Sequence, residues 1–432
     1  MSEHKEELVP TPLEKLDSID IDVLKKHPST AGIIKKAKFL TGKKMNEDGQ
    51  KNKIYLFCIT GGPCAGKTTC LQFLSERFTP QYKVYIIPEL ATMTVGAGVA
   101  IIPSEFTPDT HTVFTKGIMK AQMDLENYFY EIAKIQKEDV IIFTDRGMCD
   151  NLAYCSEETK ERVFNETGWN TQKLTNQRYD AIFHLVTAAD GAEEFYTTEN
   201  NEARSEGVDL AKMLDKWTQN SWISHQSHFV IDNSIPGFNK KVERLYMLIA
   251  NFLGISANMH FVKKFLIPSG FDTKIIPDEI KHASFYEEFD FLKCGETNKR
   301  MWVKKRTDPS GNNSYALITR TMSDKEEERI ELKRKISAKI YNEYAWQKDP
   351  AMNTLKKDFV VFTCNNTNYM VETYTLEDEK ITVARVSLDT KEQNENLKMP
   401  EWIGAAKDIS ENPKYMSYEI ARKEKIAMSP KK

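Results

Sequence analysis

Eight consecutive residues, Gly61-Gly62-Pro63-Cys64-Ala65-Gly66-Lys67-Thr68, spell the complete pattern G-x-x-x-x-G-K-[ST]. The chemistry that such a spacing serves is phosphate capture. Glycines let the main chain curl until its N–H groups converge on one point, and a helix that follows adds its positive N-terminal dipole. Lys67 would then reach the terminal phosphates and the Thr68 hydroxyl would ligate Mg2+, so Gly61, Gly62, Pro63, Cys64, Ala65, Gly66, Lys67, Thr68 and Thr69 form the candidate set for ATP or GTP. An apolar strand pattern, Ile54 to Thr60, precedes the motif and a helical pattern follows it, which is the context the motif requires. The alternative is an ordinary glycine turn.

Two carboxylates stand at the ends of other apolar runs. Asp145, in Thr144-Asp145-Arg146-Gly147 after Val140 to Phe143, is placed to be the second Mg2+ ligand, or else to cap the next helix. Glu89, after Val84 to Pro88, could act as a base or metal partner, or be a surface glutamate. The polar run from Tyr196 to Glu206 follows the strand pattern Ala181 to Thr187, where a phosphotransferase would carry its lid. Arg204 is the residue that would cover the phosphates there, with a solvated loop arginine as the other reading. His225 and His228 have no cysteine or carboxylate companions at ligand spacing and are predicted to pack or hydrogen-bond.

Chemistry of this kind needs a scaffold, and the chain has room for two. Its 432 residues, 40% hydrophobic and 28% charged, exclude a disordered or collagen-like chain and a small disulfide-stapled one. From Lys53 onward short apolar runs (Ile54 to Thr60, Val84 to Pro88, Val140 to Asp145, Ala181 to Thr187, Phe229 to Asp232) alternate with helical segments such as Thr68 to Arg77 and Lys116 to Lys137. This predicts an α/β domain with a parallel sheet. It closes with a helix from Lys240 to Leu253, stopped by Gly254. After that, eight strand patterns between Phe261 and Leu388, with a helix at Ser337 to Gln347, predict an α+β antiparallel sheet or barrel. The predicted layout is an N-terminal arm (1–52), a P-loop domain (53–256) and a second domain (257–432).

Sixty Lys plus Arg against 63 Asp plus Glu give a net charge of −3, so bulk charge favours no polyanion and no nucleic-acid partner is expected. From Met259 onward 31 basic residues face 28 acidic ones, which puts the basic excess in the second domain. Seven cysteines without C-x-x-C spacing, a polar N-terminus and no apolar run of about 20 residues predict a cytoplasmic chain.

Several blocks in order carry a resemblance: I-T-G-G-P-C-A-G-K-T-T (59–69), I-P-E-L-A-T (87–92), F-T-D-R-G (143–147), R-Y-D-A-I-F-H-L (178–185), N-N-E-A-R-S-E (200–206) and H-F-V-I-D-N (228–233). Together they resemble the P-loop domain shared by nicotinamide ribonucleotide kinase-like proteins and the TRPL translocation defect protein family. In the second half K-K-F-L-I (263–267), K-K-R-T-D (304–308) and P-E-W-I-G with D-I-S and Tyr415 (400–415) are similar to a CYTH-like, triphosphate-tunnel domain. The resemblance implies a nucleotide-binding factor, GTP or ATP with Mg2+, that recognises phosphoinositides at membranes and acts in membrane protein trafficking.

Tunnel enzymes open with E-x-E-x-K, and here His260, Val262 and Lys264 hold those places, so Mg2+-dependent triphosphate hydrolysis is not expected. The remaining cations, Lys264, Lys304, Arg306, Arg320, Lys333 and Arg385, could line a concave basic surface for a phosphorylated inositol headgroup, or be solvated barrel charges. Lys304 and Arg306 would share one face of a strand. The competing function is a kinase passing the γ-phosphoryl of ATP to a small molecule or nucleoside, with Lys67 and Arg204 stabilising the transferred charge and Asp145 or Glu89 as base.

Overall fold

The computed structural model describes residues 52–99, 107–196, 207–255, 261–295, 297–321, 331–376, 379–388 and 391–423. Within the compact unit from Asn52 to Lys432 two sheets stand out. The N-terminal arm, Arg204 with its loop, and the first residues of the predicted strand Arg329 to Ile336 lie outside the described residues.

The first sheet is parallel, in the order β2-β3-β1-β4-β5: β1 Ile54–Gly61, β2 Lys83–Ile87, β3 Val140–Asp145, β4 Ala181–Leu185 and β5 His228–Ile231. Its strands are continuous apolar runs because both faces are covered. On β1, Phe57 and Ile59 enter one core with Leu71 and Leu74 of helix α1 (Lys67–Phe78), while Leu56 and Cys58 enter another with Met119 of α2 (Pro108–Lys134). Helix α2 starts eight residues before the predicted Lys116, because Thr107 and Thr110 form a capping box and Pro108 occupies the first turn. Helices α3 (Val208–Ser221) and α4 (Phe238–Leu253) complete this half. Gly254, at φ 73°, ends α4 in the left-handed conformation.

The second sheet is antiparallel throughout, and β14 joins its edge by two residues. It has nine strands in the order β10-β9-β8-β7-β11-β12-β13-β6-β14. They are β6 Phe261–Leu266, β7 His282–Phe291, β8 Lys299–Thr307, β9 Asn313–Thr321, β10 Glu331–Lys335, β11 Leu355–Cys364, β12 Thr367–Thr375, β13 Lys380–Leu388 and β14 Lys407–Asp408. The apolar face carries Val360, Phe362, Val371, Ala384 and Val386, and helix α5 (Ala338–Ala345) covers β8 and β9 through Tyr341 on Tyr315. The fold is therefore a parallel α/β domain followed by an antiparallel sheet domain with helical cover. No helix among the described residues is long and apolar enough to cross a membrane.

Candidate functional site

The register of the first sheet builds the phosphate site. Ile59 of β1 pairs with Asp145 of β3, so the carboxylate leaves its strand level with the start of the loop. Gly61 adopts φ +143° and Gly66 φ +84°, conformations open to glycine at little cost, and Cys64 is left-handed at φ 53°. Crowding adds to this, since a side chain at Gly66 would meet the Phe238 ring at the head of α4.

The loop is clamped from the β4 side. Thr187 donates its hydroxyl to Pro63 O, Ala188 N–H donates to Cys64 O, and Asp215 of α3 accepts from Gly62 N–H at 2.7 Å and from Thr187 N–H at 3.1 Å. His184 Nε2 stands 3.2 Å from the same Asp215 oxygen. Burial alone would push the Asp215 carboxyl up, but His184 and the two main-chain donors outweigh it and hold it below the usual range. A carboxylate fixed in this way holds the first half of the loop rigid.

Lys67 is buried and donates to Gly61 O and Gly62 O, each at 3.1 Å. Burial, with help from the nearby Arg146 guanidinium, pushes its ammonium down to about 8, while Asp145 and Glu89 oppose that shift. Asp145 is buried, its carboxyl pushed up by burial, and its Oδ1 has no hydrogen-bond partner. It does not cap the following helix, since Asp150 accepts from Gly147 N–H there. Glu89 takes a 2.6 Å ion pair from Arg146 Nε and a 2.9 Å hydrogen bond from Thr92. Burial raises the Glu89 carboxyl, but Arg146 and Lys67 more than reverse this. Lys67, Asp145 and Glu89 thus converge on one electrostatic cluster.

Arg146, which sequence reasoning passed over, joins them. Its φ of 65° turns the side chain back toward Glu89. A non-glycine residue in that conformation directly after a strand leaves no mark in the sequence. Asp150 underpins the turn, accepting from Thr60 Oγ1 and Trp222 Nε1 as well as Gly147. His225 and His228 are structural, as predicted: His225 meets Tyr179 O and Ser227 N–H, and the His228 ring lies against His184.

The second sheet gathers the other candidate residues. Its register places Arg385 beside Lys264, Glu287 beside Arg306 and Lys357, and Arg320 beside Glu331. Counting in twos along each strand puts Lys264, Lys304, Arg306, Arg320, Lys333 and Arg385 on the same face. Carboxylates are interleaved with these cations, because Glu287, Glu331 and Glu372 share that face, as does Lys357. Arg306 Nε donates to Glu287 at 2.6 Å, and Lys304 and Lys357 stand 3.2 and 3.1 Å from the same carboxylate. Lys357 also reaches Glu372 at 2.8 Å, which accepts from Tyr374 OH at 2.7 Å. The reason is energetic: so many buried cations repel one another unless carboxylates stand between them. Even so, among the described residues the cations on this face outnumber the carboxylates, and Arg300, opposite Arg320, and Lys335, two along from Lys333, add to the positive surplus. Lys264 and Lys304 are pushed down to about 8, chiefly by burial.

Residues 56–239 match a family described as an AAA domain, which supports a P-loop NTPase domain in this part of the chain. No curated protein matches the chain. Among solved structures, the inorganic triphosphatase NE1496 is 12% identical, with 38% of this chain and 94% of that one covered at a TM-score of 0.27. The PH1012 protein from Pyrococcus horikoshii OT3 is 14% identical, with 32% and 84% covered at a TM-score of 0.23. At such scores these two likenesses carry no argument.

Proposed function

We propose that this protein is a regulatory nucleotide-binding factor that holds GTP or ATP with Mg2+ in its P-loop domain and a phosphoinositide headgroup on the polar face of its second sheet. In this reading it is a cytoplasmic member of the TRPL translocation defect family, peripheral at membranes and acting in membrane protein trafficking. The observation that carries it is the pairing, in one chain, of a clamped phosphate loop with a separate face on which, among the described residues, cations outnumber carboxylates.

The residues at the loop fit a magnesium ion. Asp145 Oδ1 is buried and unpartnered, and Thr68 lies exposed in the first turn of α1. These two would hold the ion, which when bound neutralises phosphate charge. Lys67, now held on the loop's own carbonyls, would swing to the terminal phosphates. Gly61 to Thr69 would orient the phosphate chain through main-chain N–H groups.

One observation favours the kinase alternative: Arg146 holds the Glu89 carboxylate in the same electrostatic cluster as Lys67, where it would orient an acceptor hydroxyl. Titrating the protein with ATP and GTP, alongside Lys67→Ala, separates the two. Micromolar-range binding lost at least tenfold in the variant, with negligible turnover, is the expected result. Rapid acceptor-dependent release of ADP or GDP would sink the regulatory reading. Flotation with phosphoinositide vesicles at near-physiological salt tests the second site, and no preference over plain vesicles would remove it.

A further inference from the structure

The three carboxylates on the polar face of the second sheet are already committed. Glu287 is shared by Arg306, Lys304 and Lys357, Glu372 by Lys357 and Tyr374, and Glu331 is gripped by Arg320. Their oxygens face ammonium and guanidinium groups, so a divalent cation would have to displace a positive side chain and then sit among the rest. Among the described residues no group of three His, Cys, Asp or Glu side chains could hold a metal ion.

The charges on this face suit an anion instead. Lys264 and Arg385 pair across β6 and β13, yet the Arg385 Nε is buried without a hydrogen-bond partner. The Lys264 main-chain N–H donates to Ser410 Oγ, but its ammonium reaches no carboxylate within ion-pair distance among the described residues. Glu372 and Glu331 offset part of the Arg385 charge, but the cations on this face still outnumber the carboxylates among the described residues, and that surplus is costly until an anion neutralises it.

We propose that this face binds a multiply phosphorylated anion directly, through Lys264 and Arg385, with no divalent metal. This rests on the reading of the face as a phosphate site and adds to it a demand opposite to that of the P-loop. The same chemistry fits a lipid headgroup or a soluble polyphosphate.

The test uses full-length Lys67→Ala, to silence the P-loop. Two probes are titrated, inositol hexakisphosphate in solution and vesicles bearing phosphatidylinositol bisphosphate, each in EDTA and in excess Mg2+. The expected result is binding of at least one probe with affinity in EDTA no more than about twofold weaker than in Mg2+, and a loss of about tenfold or more in Lys264→Gln or Arg385→Gln, as for a charge-assisted contact removed. Binding by vesicles alone assigns the lipid source, and binding by the soluble probe alone assigns the free one.

A requirement for Mg2+ would overturn this inference and leave the phosphate site standing. No binding of either probe in any buffer would overturn the underlying reading as well. Because loss variants can lose affinity by misfolding, Glu331→Gln supplies a gain: removing the exposed carboxylate should tighten binding about threefold or more. Weaker or unchanged binding there counts against the proposal.

Discussion

A methyl group added at Gly61 would sit 2.1 Å from Leu185 O, a main-chain atom of the neighbouring strand that cannot swing aside. The position also has φ +143°. Gly61→Ala is therefore expected to lower stability by about 3 kcal/mol and to abolish nucleotide binding, read by urea denaturation and by ATP titration. Gly117 gives the contrast, since it lies inside α2 with nothing within 4 Å of an added methyl. Gly117→Ala should raise stability by about 0.5–1 kcal/mol and leave nucleotide affinity unchanged. If both substitutions behave alike, the loop is not the close-packed element described. A fixed spacing and a strand end made Lys67, Thr68 and Asp145 legible in the sequence as candidates. Arg146 and Asp215 stayed hidden: the first works through a left-handed turn, the second through a clamp on Gly62 from 153 positions along the chain.

Strand periodicity made the second sheet legible and half of its polar face with it. Alternation placed Lys304 and Arg306 together, but Glu287 meets them only through the β7–β8 register, which no local pattern encodes. That register has an acid signature. Burial alone would raise the Glu372 carboxyl, yet Lys357 and Arg385 outweigh burial and hold it at about 2, and Glu287 is likewise held well below the ordinary value. A folded pKa below the unfolded one, which is near 4.3, gives stability that is complete above that value and lost as pH falls toward 2. Glu372 alone should account for a loss on the order of 3 kcal/mol across this window. Urea midpoints measured from pH 6 to 2 should fall more steeply for the wild type than for Glu372→Gln, which is less stable at neutral pH but has no such carboxylate to protonate. Parallel curves would mean that the network does not hold this charge.

The two sheets are joined by specific polar contacts as well as by packing. Lys335 reaches Arg178 O at 2.6 Å and Asp180 at 3.3 Å, Asn368 donates to His228 O at 2.7 Å, Lys333 to Ser227 Oγ at 3.2 Å and Lys216 to Asn366 at 2.8 Å. Ile223, from the segment after α3, enters the apolar cluster of Phe362 and Val371. The contact reaches the phosphate loop in few steps. Asn366, at the β11–β12 turn, donates to Asp190, and Asn233 ties the Asp190 and Thr187 carbonyls together, while the Thr187 hydroxyl holds Pro63 O. Elements so connected cannot unfold one at a time without stranding buried polar groups, so heating is expected to give one calorimetric transition. Nucleotide bound to the native state alone then stabilises the whole unit: at a free concentration of about 100 times Kd it adds about 2.7 kcal/mol, or a rise in Tm of about 3 °C. Near-ultraviolet circular dichroism reports Trp302 and Trp402 in the second sheet domain together with Trp169 and Trp222 in the first, so the shift should appear in all of that signal at once. Two transitions, of which Mg2+ and ATP move only one, would show that the interface holds the domains side by side without making them fold as one.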